Sequence, residues 1–174
     1  MKRTVWLWEL FGFAFVSLGG TILHFLYDRL GNAVWIAPFS GVNESTWEHM
    51  KLMFWPILIY AVFQSLFFRH YEGFWCIKLR GTLIALGLIP LIFYTYNGVI
   101  GKSPDFVNIT IFFVSAAVAF FYEIRAFSKN KTKCRSEKLA IALLLLIAFS
   151  FVLFTFNAPG IDIFKDPISG GFGI

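Results

Sequence analysis

The chain predicts an all-α fold, a polytopic membrane helix bundle with five transmembrane helices, N-terminus inside and C-terminus outside. Three observations carry that expectation. Five apolar runs, residues 5–27, 50–68, 81–100, 106–122 and 139–156, are almost free of charge. Each is about 17 residues or longer, near the roughly 20 helical residues that cross a 30 Å hydrocarbon core. Charged residues make up 14% of the 174 residues and hydrophobic ones 58%, whereas soluble domains carry about 25% charge. The third observation is the sorting of the bases. Lys2, Arg3, Arg69, Lys78, Arg80, Arg125, Lys129, Lys131, Lys133, Arg135 and Lys138 fall on one side, and only Arg29, Lys51, Lys102 and Lys165 on the other. Lys and Arg are retained on the cytoplasmic face. The net charge of +5 therefore reads as topology, with no nucleic-acid partner.

The length gives a single integral membrane domain, residues 1–174, with no room for a soluble domain beside five spans. Met1-Lys-Arg before the first run resembles a signal peptide. The run is too long for one and no small-x-small site follows, so it is expected to stay as span one. Span one runs from Val5 to Tyr27. The outer connection that follows contains Gly31, Pro38 and Gly41 and reads as loop, with Trp35, Ile36 and Phe39 at the interface. Span two carries Pro56 and ends at Phe68; span three carries Pro90, which removes one backbone donor. Tryptophans at 6, 8 and 75 mark one interface, and those at 35, 47 and 55 the other.

Span four, 106–122, leads into a basic loop, 125–138, expected to contact anionic lipid. Span five, 139–156, is the least decorated. Gly81 with Ala85 and Ser115 with Ala119 allow close helix approach. Cys76 and Cys134 lie at the basic side and read as reduced thiols. Glu9, Lys78, Arg80 and Glu123 are expected to pair across spans one, three and four, and Gln64 to bond between helices. The tail, 157–174, is too rich in Pro and Gly for a sixth span. It reads as an ordered extracytoplasmic segment anchored by Phe164 and Phe172.

Polar chemistry gathers at the outer ends of spans one to three. His24 and Asp28 are four residues apart on one helix face, as are Glu44 and Glu48, with His49 beside them. Intramembrane ionisable groups are costly and usually face the bundle interior in pairs. His24, Asp28, Glu44, Glu48 and His49 form a ligand set for a divalent metal such as zinc, iron or manganese. Glu48, His49 and Asp28 are the candidate catalytic groups, by metal-activated water or by direct proton transfer. Tyr94, Tyr96 and Asn97 at the end of span three are candidate substrate contacts. The competing reading is structural. Ser45-Thr-Trp-Glu48 fits a capping box, with Asn43 as an alternative cap.

The string Val42-Asn-Glu-Ser-Thr-Trp-Glu-His-Met-Lys-Leu-Met-Phe-Trp-Pro56 resembles the signature of a bacterial family of small multi-pass membrane proteins known as a domain of unknown function. Residues 23–28, 93–98 and 164–174 are similar to other parts of it. The resemblance implies a bacterial plasma-membrane protein and supplies no activity. Three functions follow from the residues. One is metal-assisted hydrolysis of a lipid or small amphiphile. Another is transport or capture of a small cation or solute. The last is a structural subunit in which the polar cluster only fixes packing.

Overall fold

The computed structural model describes residues 2–129 and 133–174. Five helices run in order: α1 (Lys2–Arg29), α2 (Thr46–Ser65), α3 (Phe74–Val99), α4 (Asp105–Lys129) and α5 (Glu137–Phe156), with a single 3-10 turn at Asp162–Phe164. Among the described residues there is no strand, only an isolated antiparallel bridge between Lys165 and Phe172. Four of the helices, α1, α3, α4 and α5, are long and apolar enough to cross a membrane. Their exposed residues include Leu10, Leu18, Ile22, Phe121, Leu145 and Phe149, an apolar exterior that water would disfavour and lipid accepts.

Helix α2 differs because its first turns hold Glu48, His49 and Lys51, which lower its hydropathy. It compensates by position. Eleven of its 20 residues are buried, against four of the 20 in α5. It is the central helix, packed on α1 and α3 with α5 across its N-terminal half. Ser45 caps it, accepting from the Glu48 N–H at 3.3 Å. The box does not close, because the Glu48 carboxylate turns away to the Val42 N–H and Asn43 Oδ1 takes the Ser45 N–H instead.

Helices α3 and α4 extend past their apolar runs. Lys78, Arg80, Glu123 and Arg125 are good helix formers and carry the helix on toward the interface. The helix carrying Pro56 ends at Ser65, short of the apolar run, and Phe68 packs instead in a cluster with Tyr71, Phe74 and Phe127. Helices α1 and α4 pack antiparallel with small residues facing rings. A side chain at Gly12 would collide with the Phe120 ring, and one at Gly20 with that of Phe112. The same register puts Glu9 level with Glu123, and Ser17 level with Ser115.

The cysteines correct the sequence reading. Cys76, at the start of α3, and Cys134, just before α5, form a disulfide, with Cα atoms 5.7 Å apart. Arg80 also turns to this segment, donating to the Lys133 carbonyl at 2.6 Å rather than joining the ion pairs. Lys131 of the basic loop lies outside the described residues. In the tail, Phe164 is buried against Trp47 and Phe154, whereas Phe172 is 41% exposed and bridges to Lys165 through its backbone.

Candidate metal centre

Three side chains converge near the end of the bundle where α1 ends and α2 begins. His24 comes from α1, Glu44 from the α1–α2 connection and His49 from the first turn of α2. His24 Nε2 lies 3.6 Å from Glu44 Oε1, and His49 Nε2 lies 3.5 Å from Glu44 Oε2. One ligand atom from each can be chosen so that all lie within 4.8 Å of one another. The two imidazoles sit 5.8 Å apart, centre to centre.

Local chemistry explains why they meet. His49 Nδ1 is 2.9 Å from the Ser45 carbonyl. A carbonyl only accepts, so Nδ1 carries a proton and Nε2 is the ring nitrogen that faces Glu44. Such an outer hydrogen bond fixes the ring of a metal-binding histidine. The connection that delivers Glu44 is tied down on both sides. Ser40 Oγ bonds the Leu23 carbonyl and accepts the Tyr27 N–H, locking the loop to the last turns of α1. Asn43 Nδ2 donates to the Gly173 carbonyl of the tail at 3.0 Å.

Asp166 completes the clasp. Its carboxylate accepts from the Ile168 and Ser169 N–H groups and from Ser169 Oγ, and from the backbone of Glu44. Burial alone would raise its pKa. The hydrogen bonds from Ser169, Ile168 and Glu44 outweigh that and hold the carboxyl below its ordinary value of 3.8.

Beside this centre is a cavity of about 740 Å³, lined by His24, Glu44 and His49 at one end and by Phe25, Leu52, Ile89, Phe93 and Phe112 along its length. Asn97, Lys102, Asp105 and Asn108 supply its polar rim. A second cavity of about 530 Å³ lies between Tyr94 and the tail residues Lys165–Gly170.

The sequence-predicted residues divide accordingly. His24, Glu44 and His49 come together. Asp28 does not: it is exposed, in the last turn of α1 and about 6 Å beyond His24 along the helix. Glu48 does not either. It is buried, and its Oε2 is held 2.5 Å from Lys51 Nζ, three residues on. Lys51 is fully buried and also donates to the Ala37 carbonyl at 2.8 Å and Thr155 Oγ1 at 3.0 Å. This pair bolts the connection, α2 and α5 together, with Glu48 Oε2 held by Lys51 and the Val42 N–H. Asn97 spans the α3–α4 turn, bonding Ser103, which in turn reaches Asn108. Of the three predicted substrate contacts it alone borders the larger cavity; Tyr94 borders the smaller, and Tyr96 neither. Lys102 and Asp105 were not foreseen as wall residues, since an interfacial turn gives no sequence signal for which way its charges face.

A helical bundle with apolar flanks and a His–Glu–His centre open to a cavity describes a membrane-protein class, not an activity. The chain belongs to the family of unknown function DUF6512, whose model matches residues 2–174. No curated protein and no solved structure matches it.

Proposed function

We propose that this is a five-span bacterial plasma-membrane protein whose outward-facing His24–Glu44–His49 centre binds one divalent metal and hydrolyses a lipid or small amphiphile. The convergence of those three donors at the mouth of an apolar cavity carries the reading. Two imidazoles and one carboxylate with an open position are the donor set of catalytic zinc sites. Iron(II) and manganese also suit such nitrogen and oxygen ligands. A metal held there would acidify a bound water and polarise a carbonyl or phosphoryl oxygen. The residues of the chain supply the rest: Phe25, Leu52, Phe93 and Phe112 accept an apolar tail, and Lys102 and Asn97 meet a polar head at the rim.

The orientation follows the bases. With the N-terminus inside, the metal centre, Asp166 and the tail face outward. Helix α2 is then the fifth span, its Glu48–Lys51 charges neutralised by each other inside the bundle. Anionic lipid would contact the basic loop, 125–138.

Metal analysis of protein purified without chelator tests the centre. The expected result is one equivalent of zinc, iron or manganese per chain, lost in His24→Ala and in His49→Ala but kept in Asp28→Ala. Wild-type protein that stays metal-free after exposure to all three ions sinks the proposal. Hydrolysis of lipid esters by the metal-loaded protein, absent in both histidine variants, separates an enzyme from a capture protein.

A further inference from the structure

A second polar cluster lies sealed at the other end of the bundle. Glu9 of α1, Gln64 of α2, Lys78 of α3 and Glu123 of α4 are each 2% exposed or less. Lys78 Nζ is 2.5 Å from Glu123 Oε2 and 3.6 Å from Glu9 Oε2. Gln64 Nε2 donates to Glu9 Oε1 at 2.7 Å. Both carboxyls thus face the same ammonium, and Glu9 Oε2 has no hydrogen-bond partner.

The charges do not balance. Two carboxylates share one ammonium, and among the described residues no helix packed around them supplies a second cation. On α1, Arg3 is exposed. Helix α2 offers Tyr60, whose hydroxyl is committed to the Trp8 carbonyl. Helix α3 offers Thr82, whose hydroxyl bonds the Lys78 carbonyl, and Arg80, which is exposed and turned to Lys133. On α4, Arg125 is exposed over the Phe121 ring. Helix α5 has no charged residue beyond Glu137 and Lys138 at its start. The remaining neighbours of Lys78 are the ring faces of Tyr60, Phe74, Phe120 and Phe127, at 5.2–5.9 Å. Among the described residues the site therefore carries one uncompensated negative charge in a medium that does not tolerate it.

We propose that Glu9 and Glu123 share one bound proton, so that the inner end of the α1–α4 seam is a proton-binding site. A carboxylic acid on one donates to the carboxylate of the other, which satisfies the orphaned Glu9 oxygen and brings the cluster to neutrality. A sodium ion would balance the charge as well, but it would sit beside the Lys78 ammonium and be repelled by it. The proton avoids this, because it converts a carboxylate into a neutral group. Glu9 lies seven residues into α1, about 10 Å from its start at 1.5 Å per residue, close enough to the basic interface to exchange with it.

Infrared spectroscopy of the purified protein at neutral pH reads this directly. The expected signal is the carbonyl stretch of a protonated carboxylic acid, shifted on transfer to deuterium oxide. Glu9→Gln should abolish it, because the remaining Glu123 carboxylate then balances Lys78 alone. Glu123→Gln should do the same through Glu9. Both variants remove the excess charge with little change of shape, so folding is preserved, and thermal melting checks it. Absence of the band in the wild type, its persistence in the folded glutamine variants, or a spectrum that instead changes with sodium concentration overturns the proposal. None of these readouts depends on the metal centre.

Discussion

The two ends of this bundle solve the problem of polar groups in an apolar medium differently. At the His24 end the carboxylates are divided. Glu48 is sealed with Lys51 in a one-to-one pair, while Glu44 stays 40% exposed between two histidines. At the Glu9 end Glu9 and Glu123 are both sealed and share one lysine. A balanced buried pair is structural, as the Glu48–Lys51 bolt shows by holding three elements together. An open, unpaired carboxylate flanked by imidazoles is fit to take an ion. An unbalanced sealed pair is fit to take a proton. The clusters sit fifteen residues apart along α1, about 22 Å, so each is expected to respond to mutation without the other.

The largest break in the comparison comes from Lys78→Met. Removing the sole cation leaves both acids buried and unpaired, a loss expected at about 3–5 kcal/mol. Thermal melting in detergent should record it, while metal content of the folded fraction stays at the wild-type level. Coupled loss of metal would show that the ends are one system. Next in size is Gly81→Ala, whose new methyl collides with the Glu123 carboxylate. A cost of about 1–3 kcal/mol is expected from forcing that contact, and an unchanged melting temperature would mean that the two helices are less close there.

The His24 end should respond to ligand more than to truncation. Adding zinc is expected to raise the melting temperature of the wild type, because an ion that binds only the folded state stabilises it. His49→Ala should abolish that rise with little effect on the metal-free protein. Asp166 gives a pH test. Its carboxyl is held below 3.8 when folded, so its contribution is complete above that value and is lost as pH falls through the lower folded value. Proteolysis of the tail should therefore accelerate in acid, and Asp166→Ala should show the accelerated rate already at neutral pH. The smallest effect is expected midway between the ends. Ser17 and Ser115 hold buried hydroxyls without partners, so changing either to alanine should be neutral or slightly stabilising by melting.

Orientation can be sharpened separately. The Cys76–Cys134 bond lies at the basic end, and thiols facing a reducing cytosol stay reduced. With the N-terminus inside, the cytosol should keep this pair reduced in cells and the bond should close only on oxidation, so Cys76 and Cys134 should react with a permeant maleimide and resist an impermeant one. Protection from both until an external reductant is added would place that end outside.

The helices were legible in the sequence because apolar runs long enough for a bilayer leave few alternatives for the backbone. Helix α2 was harder: its first turns are polar, and what makes them tolerable is burial among other helices, which no local pattern reports. The inner residues Glu9, Gln64, Lys78 and Glu123 stood out as charges and amides inside apolar runs. That Arg80 would leave them for the Lys133 carbonyl was invisible.

Periodicity and composition by themselves determined the helical class, the order of the five segments, the polar character of both ends and the three residues His24, Glu44 and His49 as part of a donor set. Only the packing of the helices decided which of five candidates meet. Spacing along one helix states which face a side chain shares, but a centre built from α1, a loop and α2 depends on rotations and heights between elements, which a linear pattern does not encode. The same holds for Cys76 and Cys134, 58 residues apart, and for Asp166, whose hold on Glu44 exists only because the tail folds back over the His24 end.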